Sequence, residues 1–530
     1  MLNVAIREHP WVQVVTTNSW LTVLASLTAL RTVFYINDLF WYHRAQRRRR
    51  GPEQLPPKYP AFIPYIELGI PFGLNIRKAV LRFTTYNGEA TVVRIPLLPG
   101  FQVYLYQDPL IIRQIWKVSQ LLDFRPMATH FFVNACGMKY ESAALYLNDK
   151  TGTKSSPVPG SESKDMRVHR IIHESDRQGL AGRGLAPTLQ AFRTSFDSLI
   201  SKYETEEWTD VEDFWTFIQA TVGAAEMEAI FGPMLLKQFP NFVYDFFEFD
   251  RLIPWLLKGM PFTQAERIRF RLLEDIRGWI KSARVMASKE KIEGGYESRS
   301  EAWGPEWTRY RHEFFKSFFD EDAIASHDLG VAWGALGNTV PATLMAMLEV
   351  LQDKKLEERV RQQVHVISSA TPLSEVPFRD LTSDTLMSAV YAETLRMYVT
   401  AFVPVVPLHG ELKLGQWRIP QSSYGLMNAG IAHKNKDVWN TRRGAHPVDD
   451  FWADRFIVDP SDPESGPVRP EAREKLGVGP PADGDKPYFS TEGLEGSWIP
   501  FGGESFFFLL LFSLLFSPLP AQSMSRRGGS

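Results

Sequence analysis

Two groups of residues have types and spacings that could do chemistry or brace a group that does. In Glu393-Thr394-Leu395-Arg396 a carboxylate and a guanidinium stand three residues apart, which on a helix puts them on one face. Alone, such a pair reads as a solvated surface bridge worth well under ~1 kcal/mol. The segment Trp333-Gly334-Ala335-Leu336-Gly337-Asn338-Thr339-Val340-Pro341-Ala342 is largely apolar and carries one hydroxyl. Gly337 opens its backbone, Thr339 can hydrogen-bond back to a carbonyl and Pro341 removes a donor, so a kinked helix is expected. Such a helix suits an oxygen pocket; a buried helix with an incidental proline is the plain alternative. Cys136 is the only thiol in the chain. A single cysteine forms neither an intrachain disulfide nor a multi-cysteine zinc site, which argues for folding in a reducing compartment. Its bland reading is a small buried hydrophobe.

These groups need a body to hold them. With 530 residues, 44% hydrophobic, 23% charged and 13% aromatic, the chain is neither disordered, collagen-like nor a disulfide-rich mini-protein. Its formal net charge of -2 gives no global attraction to nucleic acid, and no nucleic-acid partner is expected. Pro10 to Leu30 is a run of 21 residues without a formal charge, about 31 Å long as a helix. Eight polar residues dilute it, so a membrane anchor is expected while an interfacial or folded helix stays open. Tyr35, Trp41 and Tyr42 suit the headgroup level, and Arg44 with Arg47, Arg48, Arg49 and Arg50 forms a basic cluster that belongs on the cytosolic side. Pro52, Pro56, Pro57 and Pro60 then read as a stiff linker. The expected layout is an anchor over 1–43, a basic, proline-rich linker over 44–60, a catalytic body over 61–503 and an aberrant tail over 504–530.

Within the body, Ala90 to Pro96 and Gln102 to Tyr106 predict a hairpin around Pro99-Gly100. Helical windows follow near Met166 to Glu174, Pro187 to Tyr203, Asp210 to Ile230, Thr263 to Lys289, Ala323 to Leu351 and Lys354 to Ser368. Ser383 reads as the N-cap of a helix running to Tyr398, with Asp384 in its first turn. Glu411 to Leu414 and Trp417 to Ile419 read as strands around Gly415-Gln416, and 459–487 as a loop. The predicted class is mostly α with minor β, an α+β body.

The order of segments is more specific than any one of them. After Glu393 and Arg396 come the strand-like HGELKLGQWRIP, then Ala432-His433-Lys434-Asn435-Lys436-Asp437-Val438-Trp439, then Phe451-Trp452-Ala453-Asp454-Arg455-Phe456. This order resembles the cytochrome P450 family, in which the Glu-x-x-Arg pair and a later arginine form a buried cluster bracing the haem region. The resemblance makes Glu393, Arg396 and Arg455 structural rather than reactive. It places Asn338 and Thr339 at the acid–threonine pair of the family's central helix, with Asn a departure from the acid. The Gly-Asn-Thr-x-Pro-Ala version resembles the branch of sterol 7-hydroxylases and prostacyclin synthase. The resemblance further suggests Arg170 and His409 as propionate partners, an ordinary exposed charge being an equal reading of Arg170.

Trp498-Ile499-Pro500-Phe501-Gly502-Gly503 looks like the start of the family's cysteine loop, F-x-x-G-x-x-x-C-x-G. The resemblance makes Phe501 and Gly502 cofactor-binding residues. Counted from Phe501, the ligand position holds Phe508, which cannot coordinate iron, so no metal ligand is assigned. The tail from Phe506 to Phe516 reads FFFLLLFSLLF, and Gly503-Glu504-Ser505 can be encoded by a splice-donor-like sequence. A translated intron is therefore expected over 504–530. The resemblance implies haem as cofactor, electrons from NADPH through NADPH-cytochrome P450 reductase, a hydrophobic sterol- or secondary-metabolite-like substrate, and the endoplasmic reticulum membrane with the body facing the cytosol. Hydroxylation by a haem-thiolate monooxygenase follows, inactive as written without the cysteine. A haem-free binding protein and a non-redox isomerase remain alternatives, and Thr339 argues against the isomerase.

Overall fold

A computed structural model describes residues 19–501 except 48–52, 86–90, 124, 153–154, 159–160, 162–166, 181–182, 205–206, 208, 261–262, 288–297 and 481–485. The chain folds into two compact units, one of 1–122 with 404–427 and a larger one of 123–403 with 428–530. The smaller unit contains helix α1, Ser19–Arg47, and α2, Ile76–Thr85. The stretch Trp20–Ala45 of α1 is long and apolar enough to cross a membrane by length and composition, with mean hydropathy 1.2. This shifts the expected apolar helix: it runs through Arg44 to Arg47, past the 1–43 boundary and into the segment read as linker. Residues 1–18 and Arg48 to Pro52 lie outside the described residues. Arg31 of α1 donates to Ala61 O at 2.5 Å and to Phe62 O.

The hairpin is present. Strands β1, Val92–Leu98, and β2, Phe101–Tyr106, pair antiparallel with Val92 opposite Tyr106, and Gly100 turns between them at φ +77°, where a side chain would be strained. Helix α3, Pro109–Lys117, starts at Asp108, whose carboxylate accepts from Leu110 N at 2.8 Å, with proline at the first helical position.

The larger unit is built of helices: α4 Arg125–Asn134, α5 Tyr140–Asn148, α6 Val168–Leu180, α7 Leu185–Ile200, α8 Ala224–Phe231, α9 Phe242–Leu257, α10 Thr263–Ala287, α11 Glu306–Phe315, α12 Glu321–Gln352, α13 Lys354–Ile367 and α14 Thr385–Tyr398. A short ribbon, β3 Arg299–Ser300 with β4 Gly304–Pro305, precedes α11. Ahead of α8, residues Gln219–Gly223 form a single π turn. Aspartates start the later helices: Asp320 accepts from Ala323 N at 2.7 Å, and Asp353 from Lys355 N at 3.0 Å. Asp384, not Ser383, caps α14, accepting from Met387 N at 2.9 Å. Ser383 instead closes the preceding turn Phe378–Ser383, leaving the stronger carboxylate acceptor at the cap.

The chain continues through β5 Phe402–Val405, β6 Leu412–Leu414, β7 Trp417–Ile419 and β8 Tyr424–Asn428. A four-stranded sheet has the order β1-β2-β8-β5, with β2 and β8 parallel, and β6 and β7 form the expected ribbon around Gly415 at φ +60°. The loop expected over 459–487 contains helix α15, Pro470–Leu476, which begins with proline and ends at Gly477 in the left-handed conformation.

Helix α12 is also long and apolar enough to meet the length-and-composition test for a membrane span. Its first half, however, holds Ser326, His327 and Asp328 fully inside the unit. Asp328 Oδ1 accepts from Arg311 Nη2 of α11 at 2.5 Å, and Oδ2 stands 2.8 Å from His312 Nε2. Burial with Arg311 beside it holds His327 near 3, so it is neutral at neutral pH. Charged and polar groups buried on all sides mark α12 as a core helix whose second half carries Asn338 and Thr339.

Candidate functional site

Glu393 and Arg396 project from α14, a helix capped by Asp384 that keeps them one turn apart on one face. Arg396 forms a fork on the carboxylate, Nε to Glu393 Oε2 at 2.6 Å and Nη2 to Oε1 at 2.7 Å. Arg455, on the turn Ala453–Phe456, donates Nε to the same Oε1 at 3.2 Å, and Trp452 N donates to it at 2.9 Å. All three charged side chains have 0% exposure. The guanidiniums spend their remaining donors on backbone: Arg396 Nη1 on His433 O at 3.0 Å and Val448 O at 2.7 Å, Arg455 Nη2 on Pro447 O at 3.0 Å, and Arg455 Nη1 on Asn440 O. Burial pulls the Arg455 pKa down and Glu393 opposes it. The three residues expected to cluster therefore do so, and they lock 433–450 around α14.

His433 was quoted in the sequence motif but given no role, and the structure gives it one. It is fully buried; Nε2 accepts from Ile499 N at 3.1 Å, which leaves Nδ1 to donate to Val399 O at 3.1 Å. Burial and then the Arg396 charge hold its pKa near 3, so the ring is neutral and keeps the tautomer this bridge requires. Trp498 adds Nε1 to Ala392 O at 3.3 Å, and Phe501 stacks edge-on against Trp498. The segment leading into the predicted loop is thus pinned to α14. Phe501 is 39% exposed, while Gly502 and Phe508 lie outside the described residues.

Pro341 lies inside α12, which runs as one helix from Glu321 to Gln352, and it offers no N–H to the carbonyl of Gly337. Asn338 Nδ2 donates to Gly334 O at 2.7 Å, and Thr339 stands beside Glu226 of α8, whose pKa burial raises and the hydroxyl moderates. Sequence reasoning could not find Glu226, because nothing in the local pattern of a helix more than a hundred residues upstream ties it to Thr339. Thr339 is exposed, on a side of α12 where Ala335, Asn338 and Ala342 are only half-buried.

Arg170 is half-buried near the start of α6, with Glu174 one turn on. His409 belongs to the smaller unit, its N–H donating to Leu121 O at 3.2 Å. The structure does not bring these two together in one unit. Cys136 has 0% exposure, packs beside Phe132 and Gly330, and burial pushes its thiol far up.

No family model matches the chain. Among characterised proteins it is 28% identical over 497 residues to the cytochrome P450 monooxygenase efuG of Hormonema carpetanum, covering 90% of this chain and 84% of that protein. It is 28% identical over 508 residues to the cytochrome P450 monooxygenase fsoE of Humicola fuscoatra, covering 91% and 84%. It is 21% identical over 339 residues to cytochrome P450 7B1 of Mus musculus, covering 62% and 59%. Among solved structures a cytochrome P450DA haem domain superposes with a TM-score of 0.54 at 13% identity, covering 88% of this chain and 89% of that one. The mostly helical fold with its small sheets is the cytochrome P450 fold. Over nine-tenths of its length the chain is similar, at 28% identity, to fungal proteins named cytochrome P450 monooxygenases.

That family implies haem, and the donor set can be tested against it. A haem-thiolate centre needs an ionisable thiol next to the iron. The one thiol here is sealed in an apolar site that disfavours its thiolate, away from the pinned 498–501 segment in sequence and in hydrogen bonding. Among the described residues no group of three or more His, Cys, Asp or Glu could hold a metal. The residues present do not fit a thiolate-ligated haem.

Proposed function

We propose that this chain carries the frame of a monooxygenase that hydroxylates a hydrophobic small molecule of sterol-like or secondary-metabolite type, and that as written it lacks the residue which would hold the iron. The fully buried Glu393–Arg396–Arg455 cluster, extended by His433 to Ile499, carries this reading. It is a rigid support whose output is the position of residues 498–501, where a ligand loop would begin. Rat 25-hydroxycholesterol 7-alpha-hydroxylase, 23% identical over 53% of this chain, supports a sterol-like substrate class. In a chain with a completed loop, haem would supply the oxidation of an apolar C–H bond, with electrons from an NADPH-dependent reductase. Arg170, His409, Phe501 and Gly502 are the proposed haem contacts. Helix α1 would tether the body to the endoplasmic reticulum membrane, facing the cytosol. The missing thiolate favours a second reading, a haem-free binding protein.

The residues of this chain contribute order rather than reaction. The arginine cluster fixes the backbone of 433–450, and His433 transmits that order to Ile499. Asn338 is tied to its own helix, and its amide is not an acid, so it holds no transferable proton.

The test is a reduced carbon monoxide difference spectrum of two proteins, the chain as written and one whose residues after Phe501 complete the F-x-x-G-x-x-x-C-x-G pattern. The completed chain is expected to give a thiolate-type Soret band and the chain as written none. A thiolate-type band from the chain as written overturns the loss of its ligand, and no band from either protein overturns the monooxygenase frame. Sequencing the transcript across the Gly503 codon tests the intron origin of 504–530; a mature message still encoding FFFLLLFSLLF ends that idea.

A further inference from the structure

Away from the Glu393 cluster, the first half of α12 shares a second buried charge group with α6 and α11. Arg311 of α11 is approached by two aspartates from different helices. Its Nη2 donates to Asp328 Oδ1 of α12 at 2.5 Å, and its Nη1 stands 3.6 Å from Asp176 Oδ1 of α6. Two histidines complete the group: His312 Nε2 is 2.8 Å from Asp328 Oδ2, and His327 Nε2 is 4.0 Å from Asp176 Oδ2. None of the five side chains is more than 5% exposed. The pairing is incomplete, because Arg311 Nε and Nη1, Asp176 Oδ1 and His327 Nδ1 are shut from solvent without a hydrogen-bond partner among the described residues. The joint between α6 and α11 is close at the same point. Arg311 lies over the Trp307 ring at 4.8 Å, and a Cβ on Gly179 of α6 would lie 2.2 Å from that indole. Trp307 therefore touches both the guanidinium and the backbone of α6.

One guanidinium balances one carboxylate, and a second carboxylate in the same dry space is a buried charge without a partner. Two carboxyls in that position do not both ionise readily, and they titrate as a unit. The distances say which one keeps the proton: Asp328 holds Arg311 at hydrogen-bonding distance and Asp176 does not. Burial raises the Asp176 pKa to about 7, Arg311 opposing the shift and Asp328 adding to it. For Asp328 burial is outweighed by His312 and Arg311, and the pKa is lowered. Burial pulls both histidine pKa values down, so neither ring takes the proton near neutral pH.

The other ionisable groups on the packed elements are paired, neutral or exposed. On α6, Glu174 pairs with Arg177, Arg170 is half-buried, and burial pulls the His169 and His173 pKa values down. Next to its start, Asp123 pairs with Arg125, and Asp149 accepts from His169 N. On α5, Glu141 is exposed and burial keeps the Tyr146 phenol protonated, as it does the Cys136 thiol beyond α4. Arg193 of α7 donates to Ser374 O and Val376 O, and Asp197 is exposed. On α11, Glu306 pairs with Arg309 and Glu313 with Lys316; Arg284 of α10 pairs with Glu321, and Asp322 with Lys139 and Arg277.

We infer that Asp176, Arg311 and Asp328 form a pH-sensitive latch between α6 and α12, in which one proton decides whether the guanidinium serves one carboxylate or two. With the proton on Asp176, Arg311 belongs to Asp328. When that O–H bond gives its proton to solvent water, Asp176 and Asp328 compete for Arg311, Nη1 is drawn towards α6, and the guanidinium shifts on the Trp307 ring. No electrons are exchanged. Helix α6 also carries Arg170, and α12 carries Asn338 and Thr339, so the latch bears on both helices of the proposed site. For that consequence it rests on the monooxygenase reading; its test is made on the protein alone.

The test follows, in the full chain from about pH 5 to about pH 9, the tryptophan emission that Trp307→Phe removes. In the parent this emission is expected to titrate with a midpoint of about 7, and in Asp176→Asn to stay flat. Asp328→Asn removes the competing carboxylate, leaves Arg311 to Asp176, and moves the midpoint down by about 1–3 units. A titration that persists in Asp176→Asn, or a midpoint that Asp328→Asn leaves in place, overturns the latch; a carboxyl that is merely buried predicts the second of these. Should Trp307→Phe or Asp328→Asn fail to fold, thermal midpoints of the parent and Asp176→Asn decide. The folded chain keeps the Asp176 proton up to about 7 and the unfolded chain loses it near the ordinary 3.8, so stability falls as pH rises across that window and levels off above it. Asp176→Asn is expected to flatten that fall, and parallel curves overturn the latch. The carbon monoxide spectrum reads none of these groups, so failure of the latch and failure of the monooxygenase reading are told apart.

Discussion

Replacing Glu393 with glutamine tests whether the arginine cluster is the frame of the larger unit. Oε1 accepts from Arg396 Nη2, Arg455 Nε and Trp452 N, and Oε2 from Arg396 Nε, all without solvent. Glu393→Gln keeps the shape, removes the carboxylate that both guanidiniums share, and turns an amide NH2 towards donors. Removing one partner of a buried ion pair costs about 3–5 kcal/mol, because the other charge stays buried and unpaired. At the lower end of roughly 2–4 °C per kcal/mol, suited to a large body, the thermal midpoint falls by about 6–10 °C. An internal control lies nearby: Arg359 on α13 grips Asp454 at 2.6 and 3.0 Å, but the two are 46% and 37% exposed. Arg359→Ala should cost under ~1 kcal/mol. Scanning calorimetry of the two variants against the parent is the assay. If Glu393→Gln lowers the midpoint no more than Arg359→Ala does, burial of the cluster is not what makes it matter.

His433→Asn gives up the Ile499 and Val399 bonds and should reduce stability at neutral pH by about 1–3 kcal/mol for each group left unpaired. The pH dependence has a definite sign. The folded pKa near 3 lies below the ordinary 6.5, so the unfolded chain takes the proton first. The stability contribution is complete above about 6.5 and is lost as pH falls towards 3. Denaturation midpoints against pH should show a shallower acid limb in the variant, with a residual slope from His327, which is held at a similar value. Gly232→Ala should destabilise strongly in the same assay, because Gly232 sits at φ +80° with Gly304 N only 2.5 Å from where a Cβ would lie. Backbone on both sides leaves no flexible side chain to yield.

What could be read from the sequence and what could not divides along physical lines. The hairpin and the β6–β7 ribbon were legible because alternation and a turn residue are local. The Glu-x-x-Arg face of α14 was legible as spacing, but its burial was not: i, i+3 ion pairs on α6, α9 and α10 have the same spacing and lie at or near the surface, such as Arg177–Glu174. Only the later Arg455 set the buried pair apart, through the order of the motifs. Asp384 outranked Ser383 as a cap because a carboxylate is the stronger acceptor, a choice that two adjacent capping residues leave open to sequence. The α15 helix was hidden because proline, glycine and aspartate also serve as helix punctuation. The nearness of Glu226 to Thr339 was invisible in principle, since the two lie on different helices.

The support between the cluster and the ligand loop runs in one direction. Among the described residues the assigned donors of Arg396 and Arg455 are satisfied by acceptors between Glu393 and Asp450. The 498–501 segment, by contrast, depends on the cluster through Ile499 N on His433 and Trp498 Nε1 on Ala392 O. A change confined to 504–530 can therefore remove an iron ligand without dismantling the fold that was built to hold it. Deleting 504–530 should leave the thermal midpoint of the chain within about 2 °C, under ~1 kcal/mol at this size, whereas His433→Asn, which lies inside the support, should lower it further. A deletion that destabilises the chain as much as Glu393→Gln would show that the cluster leans on the tail, and the one-way argument would fail.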